Sequence, residues 1–309
     1  MRPVQSDAAP HPSDPRIPAV TDSPFRWNLA RRQQLGSLLR GERAESYRGF
    51  FRDLRDCCVR VASAAADADV VFVGRSPESI YDYLSGILAD TSWAERIALL
   101  NFSMRNSTPG EVARGHPEGL RAIREQMAAL GLSPREIATA DRPRVFVDLV
   151  YSGATLGHLL GLLEHWAQDA GVDPEAVRRR IRFLGITDRT KNSPKTWRWY
   201  QRAEWAGRMP RRALRGISIP YSLWLYLGEY QKKVARWHPP MFWGAEEWTH
   251  PPRGDDALEA LRLAHAIHER GRQADERERF AAALAERPEM RDAAVRRLVL
   301  ELRGRGSER

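Results

Sequence analysis

The residues best suited to chemistry lie in one short run. Val145-Phe146-Val147-Asp148-Leu149-Val150-Tyr151-Ser152-Gly153-Ala154-Thr155 is an apolar segment, then an acid, then a small-residue turn opening into a helical pattern. Such a turn aims successive backbone N–H groups and a helix N-terminus at one point, where the dipole favours a phosphate. The hydroxyls of Ser152 and Thr155 can join them, and Gly153 permits close backbone approach. Asp148, at the end of its strand, is placed for sugar hydroxyls or a metal-bound water. The run lacks the Gly-Lys-Ser/Thr of a P-loop and the Gly-x-Gly-x-x-Gly of a dinucleotide site. A second run, Val70-Val71-Phe72-Val73-Gly74-Arg75-Ser76, ends in a turn with a cation suited to charge-assisted bonds with phosphate.

The elements that must position these residues follow from hydrophobic pattern. Short β-branched and aromatic runs at 69–74, 96–102, 144–149 and 182–187 read as buried parallel strands. Helical patterns follow them at 78–88, 118–130 and 155–170, with Ser76 as a cap and Pro77 in the first turn of the first. Residues 103–117, with two glycines and two prolines, read as a long loop. Strands alternating with helices predict a parallel sheet covered on both faces, with ligands beyond the carboxyl ends of the strands.

This arrangement resembles the type I phosphoribosyltransferases. The likeness spans about 120 residues, 67–187, and rests mainly on Asp148-Leu149-Val150-Tyr151-Ser152-Gly153-Ala154-Thr155. It implies an α/β fold whose central parallel sheet is of the type I phosphoribosyltransferase kind. N-terminal helices and a helical, aromatic-rich C-terminal extension would flank it. It further implies that Ser152, Gly153, Ala154 and Thr155 hold the 5-phosphate of phosphoribosyl pyrophosphate and that Asp148 holds the ribose. Arg75 and Ser76 would form the pyrophosphate turn, and residues 103–117 a mobile lid with Arg105 and Arg114 as its cations. Mg²⁺ would bridge pyrophosphate and ribose oxygens, and 5-phosphoribose would pass to a small-molecule acceptor as pyrophosphate leaves.

Two positions depart from the family pattern. Val147 stands where many members carry a second acid, and Tyr151 stands where an acid often acts as general base. With Asp148, Tyr151 is therefore the residue at the expected catalytic position. The same departures suit a non-catalytic regulatory or interaction protein that binds this ligand on the same fold.

The rest of the chain divides into a Pro/Asp/Ser-rich leader (1–24), N-terminal helices (25–66), the α/β core (67–190), an aromatic-rich extension or hood (191–254) and C-terminal helices (255–309). Helices are expected at 27–39, 44–66 and 221–236, and three more after residue 254, with a frayed end at 303–309. Seven of ten tryptophans fall between residues 197 and 248. Most of these rings read as a second hydrophobic core or a subunit interface, which would make a homo-oligomer. Trp197, Trp199 and Tyr200, beside Lys191 and Lys195, stand where they could border an acceptor pocket.

Composition sets the outer limits. The 309 residues carry 49 Lys+Arg against 40 Asp+Glu, and only Lys191, Lys195, Lys232 and Lys233 are lysines. The arginine excess points to an anionic partner, or to nothing more than an arginine-rich surface. Aromatics alternating with arginine also fit nucleic acid, but no nucleic-acid motif accompanies them. Adjacent Cys57 and Cys58 suit core packing on an apolar helix face, not a disulfide or zinc site. His158 and His165, and His265 and His268, lack a carboxylate at ligating spacing and read as packing or surface residues. No apolar run is long enough to span a membrane, and the N-terminus has no signal-peptide core. A cytoplasmic protein is the resulting expectation, and the resemblance implies a place in nucleotide metabolism.

Overall fold

A computed structural model describes residues 25–104, 107–189, 198–246 and 250–304. Five strands form one parallel sheet: β1 (Asp69–Val73), β2 (Ile97–Leu100), β3 (Arg144–Leu149), β4 (Ile181–Asp188) and β5 (Leu214–Ile219). Their spatial order is β2-β1-β3-β4-β5. In register, Phe72 lies opposite Leu99 on one side and Val147 on the other, and Asp148 lies opposite Gly185. The four strands expected from sequence are present. The edge strand β5 was not among them, because Leu214-Arg215-Gly216-Ile217-Ser218-Ile219 has a glycine and an arginine where a buried strand would be apolar.

Alternation along the strands sends successive side chains to opposite faces. Val145 and Val147 enter a core shared with α2 (Phe50–Ala65), α3 (Glu78–Ile87), α10 (Asp255–Arg272), α11 (Ala274–Ala285) and α12 (Ala293–Gly304). Phe146, Val150 and Phe183 enter the other core, built with α5 (Pro117–Ala129), α7 (Ala154–Asp169), α8 (Pro174–Arg180) and the tryptophans 199 and 243. Cys57 and Cys58 are buried free thiols in the first core, as their helix face implies. The C-terminal helices share that core with β1 and α3, so they cover the sheet.

Several expected boundaries are corrected. Residues 27–39 form only a four-residue helix, α1 (Arg32–Leu35), and a 3-10 turn, and residues 44–49 precede the helix α2. The stretch read as a long loop contains α4 (Pro109–Gly115). Thr108 and Glu111 form a reciprocal capping box and Pro109 sits in the first turn, so the proline starts a helix there. Pro77, not Ser76, is the N-cap of α3, and no side chain caps it. The helix expected over 221–236 stops early, because α9 (Tyr221–Leu225) passes into one π turn and Gln231 is extended. Two further short helices, α6 (Pro134–Thr139) and α8, were not read from sequence; each begins at Pro behind a Ser or Asp cap. The leader and the residues after 304 lie outside the described residues. Among the described residues, no helix is long and apolar enough to cross a membrane.

Candidate phosphate site at the β1/β3 switch point

The chain leaves β1 for α3 on one face of the sheet and leaves β3 for α7 on the other. Because β1 and β3 are neighbours, this is where the connections diverge, and the crevice beyond the strand ends opens between the two turns. The two segments singled out in the sequence, Gly74-Arg75-Ser76 and Ser152-Gly153-Ala154-Thr155, are those two turns.

On the β3 side, Asp148 is buried in the last part of the strand, on the face shared by Phe146 and Val150. Val147 points to the opposite core and is fully buried. A second acid at 147 would therefore face α3 rather than share a ligand with Asp148. Tyr151 is largely exposed, at 69%. Ser152 and Ala154 are exposed, Thr155 is half-buried and Gly153 is buried.

Gly153 is the N-cap of the 16-residue α7, in the left-handed conformation at φ 78°, and no side chain caps the helix there. The first-turn N–H groups of α7 have no intrahelical partner and are the donors an anion would take. Trp199 closes this turn from the side of β4. A Cβ added to Gly153 would stand 2.7 Å from its ring, and one added to Gly185 would stand 2.5 Å from its Nε1 atom. The indole is buried and donates to the Arg215 carbonyl at 2.8 Å. Of the residues expected to border an acceptor pocket, Trp199 is thus a core side chain packed against the Gly153 turn. Tyr200 is half-buried beside it, and Trp197, Lys191 and Lys195 lie outside the described residues.

On the β1 side, Gly74 is also left-handed, at φ 76°, which lets the chain turn tightly past the Phe102 carbonyl. Arg75 and Ser76 are half-buried in that turn. Over it runs a strap, residues 231–238, of which 231–236 fall in the stretch expected to be helical. Buried Glu78, at the start of α3, accepts from the Val234 and Ala235 backbone N–H groups at 3.1 and 3.3 Å. Gln231 donates to Ser79 at 2.6 Å, Asn101 to the Arg236 carbonyl at 3.3 Å, and Trp237 to Ser103 at 2.8 Å. The strap thereby brings Lys233 to the Gly74–Ser76 side of the crevice.

Lys233 is half-buried and donates to the Leu227 carbonyl at 2.6 Å. Burial brings its ammonium down to about 8, against the pull of Glu78 and with the push of the neighbouring Arg75 charge. Two cations held this close favour an anion between them, since binding relieves their repulsion. Lys233 was missed in the sequence; its only signal was that lysine occurs four times in the chain.

Arg105 lies outside the described residues, and Arg114 is exposed in the last turn of α4. His158, on α7, is half-buried and hydrogen-bonds the Met104 backbone; burial lowers its pKa. It ties α7 to the chain after β2, in keeping with a packing role. His165 pairs with Asp169 at 3.3 Å, and His268 with Ser85 at 2.9 Å. Among the described residues, no group of three or more His, Cys, Asp or Glu is arranged to hold a metal ion. A divalent cation here would need oxygens from its own ligand besides Asp148, which is how Mg²⁺ is commonly held with phosphates. No protein-family model, curated protein or solved structure matches this chain.

Proposed function

We propose that the protein binds phosphoribosyl pyrophosphate across the β1/β3 crevice and transfers its 5-phosphoribosyl group to a small-molecule acceptor. The observation that carries this reading is the juxtaposition of the two turns. A phosphate-type helix entry with a buried strand-end acid and a cationic glycine turn follow neighbouring strands at the divergence of the sheet. Two anion-suited turns flanking a strand-end acid match a ligand with an anion at each end and a sugar in the middle.

In this reading the N-terminal amides of α7, with Ser152, Gly153, Ala154 and Thr155, hold the 5-phosphate. Asp148 accepts from the ribose hydroxyls. Arg75, with Ser76 and Lys233, faces the pyrophosphate and stabilises the negative charge that develops as it leaves. Mg²⁺, when bound, would neutralise part of the pyrophosphate charge, with Asp148 supplying the protein carboxylate. The exposed Tyr151 is free of the core, where a phenol could meet the acceptor. Residues 103–117, including α4 and the Arg105 position, would exclude water from the reacting carbon.

One observation favours a second reading, binding without turnover. The position after Val150 presents a phenol instead of a carboxylate, and a phenol is a far weaker acceptor of protons near neutral pH. Calorimetry with phosphoribosyl pyrophosphate and Mg²⁺, followed by pyrophosphate release across nucleobase and amine acceptors, separates the two. Binding with release supports transfer, and binding with no release on any acceptor supports the regulator. Absence of binding sinks both.

A further inference from the structure

A groove of about 1040 Å³ runs along the β5 edge, walled by residues of the segment 198–213 on one side and by the C-terminal end of α2 and residues 287–292 on the other. Nine arginines line it against three carboxylates. Four of the nine pair with acids. The other five, Arg60, Arg198, Arg212, Arg215 and Arg291, pair with no carboxylate among the described residues. Arg60 and Arg215 donate to backbone carbonyls and Arg198 to the Tyr200 hydroxyl, and only Arg215 of these three is within the field of a groove carboxylate, Glu289, so positive charge is left in excess. Packing does not require so many unneutralised guanidinium groups at one groove, and their mutual repulsion costs stability.

We infer that this groove binds single-stranded nucleic acid. Guanidinium groups suit both phosphate oxygens and base faces, and Tyr200 lines the groove with a half-buried ring for stacking. An acidic peptide is the competing polyanion, and its usual way onto a sheet edge is backbone pairing. Here the edge is partly taken, because Arg60 donates to the outward-facing Ser218 carbonyl at 2.9 Å. That bond obstructs an added strand, while the guanidinium groups of Arg212 and Arg291 stay exposed.

The test is fluorescence anisotropy on the full chain with labelled oligo-dT and oligo-U of about twelve nucleotides, a matched duplex and a poly-glutamate peptide. With about four phosphates engaged, affinity for the single strands falls about 50-fold between 50 and 200 mM salt. Arg212→Glu with Arg291→Glu weakens binding by at least about tenfold and flattens the salt slope. Arg135→Glu, an exposed arginine on α6 away from the groove, leaves it within about twofold. Circular dichroism and the urea midpoint verify that each variant is folded. The inference is overturned by absent or salt-insensitive binding, by equal or tighter binding of the duplex or the peptide, or by an equal loss in Arg135→Glu, which would reflect net charge alone. None of these outcomes depends on phosphoribosyl pyrophosphate.

Discussion

The indole of Trp199 packs against the turn at Gly153, so close that a single methyl group at that glycine would stand 2.7 Å from its Cζ3 atom. The contact joins the proposed phosphate turn to the β4–β5 half of the sheet, because the same ring covers Gly185 and Gly216. Gly153→Ala must therefore overcome both a left-handed φ and a collision with a buried ring. A destabilisation of about 2–3 kcal/mol is expected in urea denaturation. Loss of ligand affinity in the fraction that remains folded should accompany it. A neutral result would mean that the turn is not held by the tryptophan.

Asp148→Asn keeps the size and buried position of the side chain and removes its charge. The expected outcome is at least a tenfold loss of phosphoribosyl pyrophosphate affinity in calorimetry, with little change in the thermal midpoint. Unchanged affinity would remove Asp148 from the site.

Lys233 gives the proposed site a pH signature. Its pKa of about 8 in the free protein means that the ammonium is present at pH 7 and largely lost by pH 9. An anion binds the charged form, so affinity should fall as pH rises through 8, by at most about tenfold per unit. Lys233→Met should show weak binding and no such fall between pH 7.5 and 9. A fall that persists in the variant would assign the titration to another group.

Acid stability should be governed by two buried histidines. Burial lowers His238 and His268 to about 4, so both are neutral in the folded protein at pH 6. Between pH 6.5 and 4 the unfolded chain binds protons that the folded chain does not, and stability falls with pH across that window. Each histidine accounts for up to about 3 kcal/mol. Asp82 acts in the opposite sense: burial raises it to about 6 despite its pairing with Arg26, so it takes up a proton first in the folded state. His238→Leu keeps an apolar side chain against Phe25, and its stability should vary less between pH 7 and 4.5 in urea titrations. Parallel curves for the variant and the parent would rule His238 out as a source of acid sensitivity.

The buried Arg26–Asp82 pair, at 2.9 Å, ties the first described residues to α3. Asp82→Asn leaves a guanidinium in the interior without its counter-ion. The expected cost is about 3–5 kcal/mol, read from the chemical denaturation midpoint. Replacing both partners by apolar residues should recover much of it, and failure of that rescue would point to a specific role for the pair.

Sequence alone determined what depends on near neighbours along the chain. The strands β1 to β4 were legible because each is a short apolar run bounded by turn residues. The helix after Ser152-Gly153 was legible because an apolar repeat follows from Leu156. Where local signals conflicted, reading failed: Pro109 was taken for loop although Thr108 and Glu111 cap a helix around it. Strand β5 was missed because its glycine serves Trp199, a partner that lies seventeen residues earlier in the chain. Only the tertiary structure decided which turns meet. That Arg75 and Gly153 follow neighbouring strands on diverging connections is a property of strand order, which no local pattern encodes. The arrival of Lys233 beside Arg75 depends on Glu78 capturing the Val234 and Ala235 amides, across 156 and 157 residues of sequence. The arginine excess shows the same division. Its total was plain from composition, but the gathering of nine arginines along one sheet edge required the fold, because charges distant in sequence are brought together only by packing.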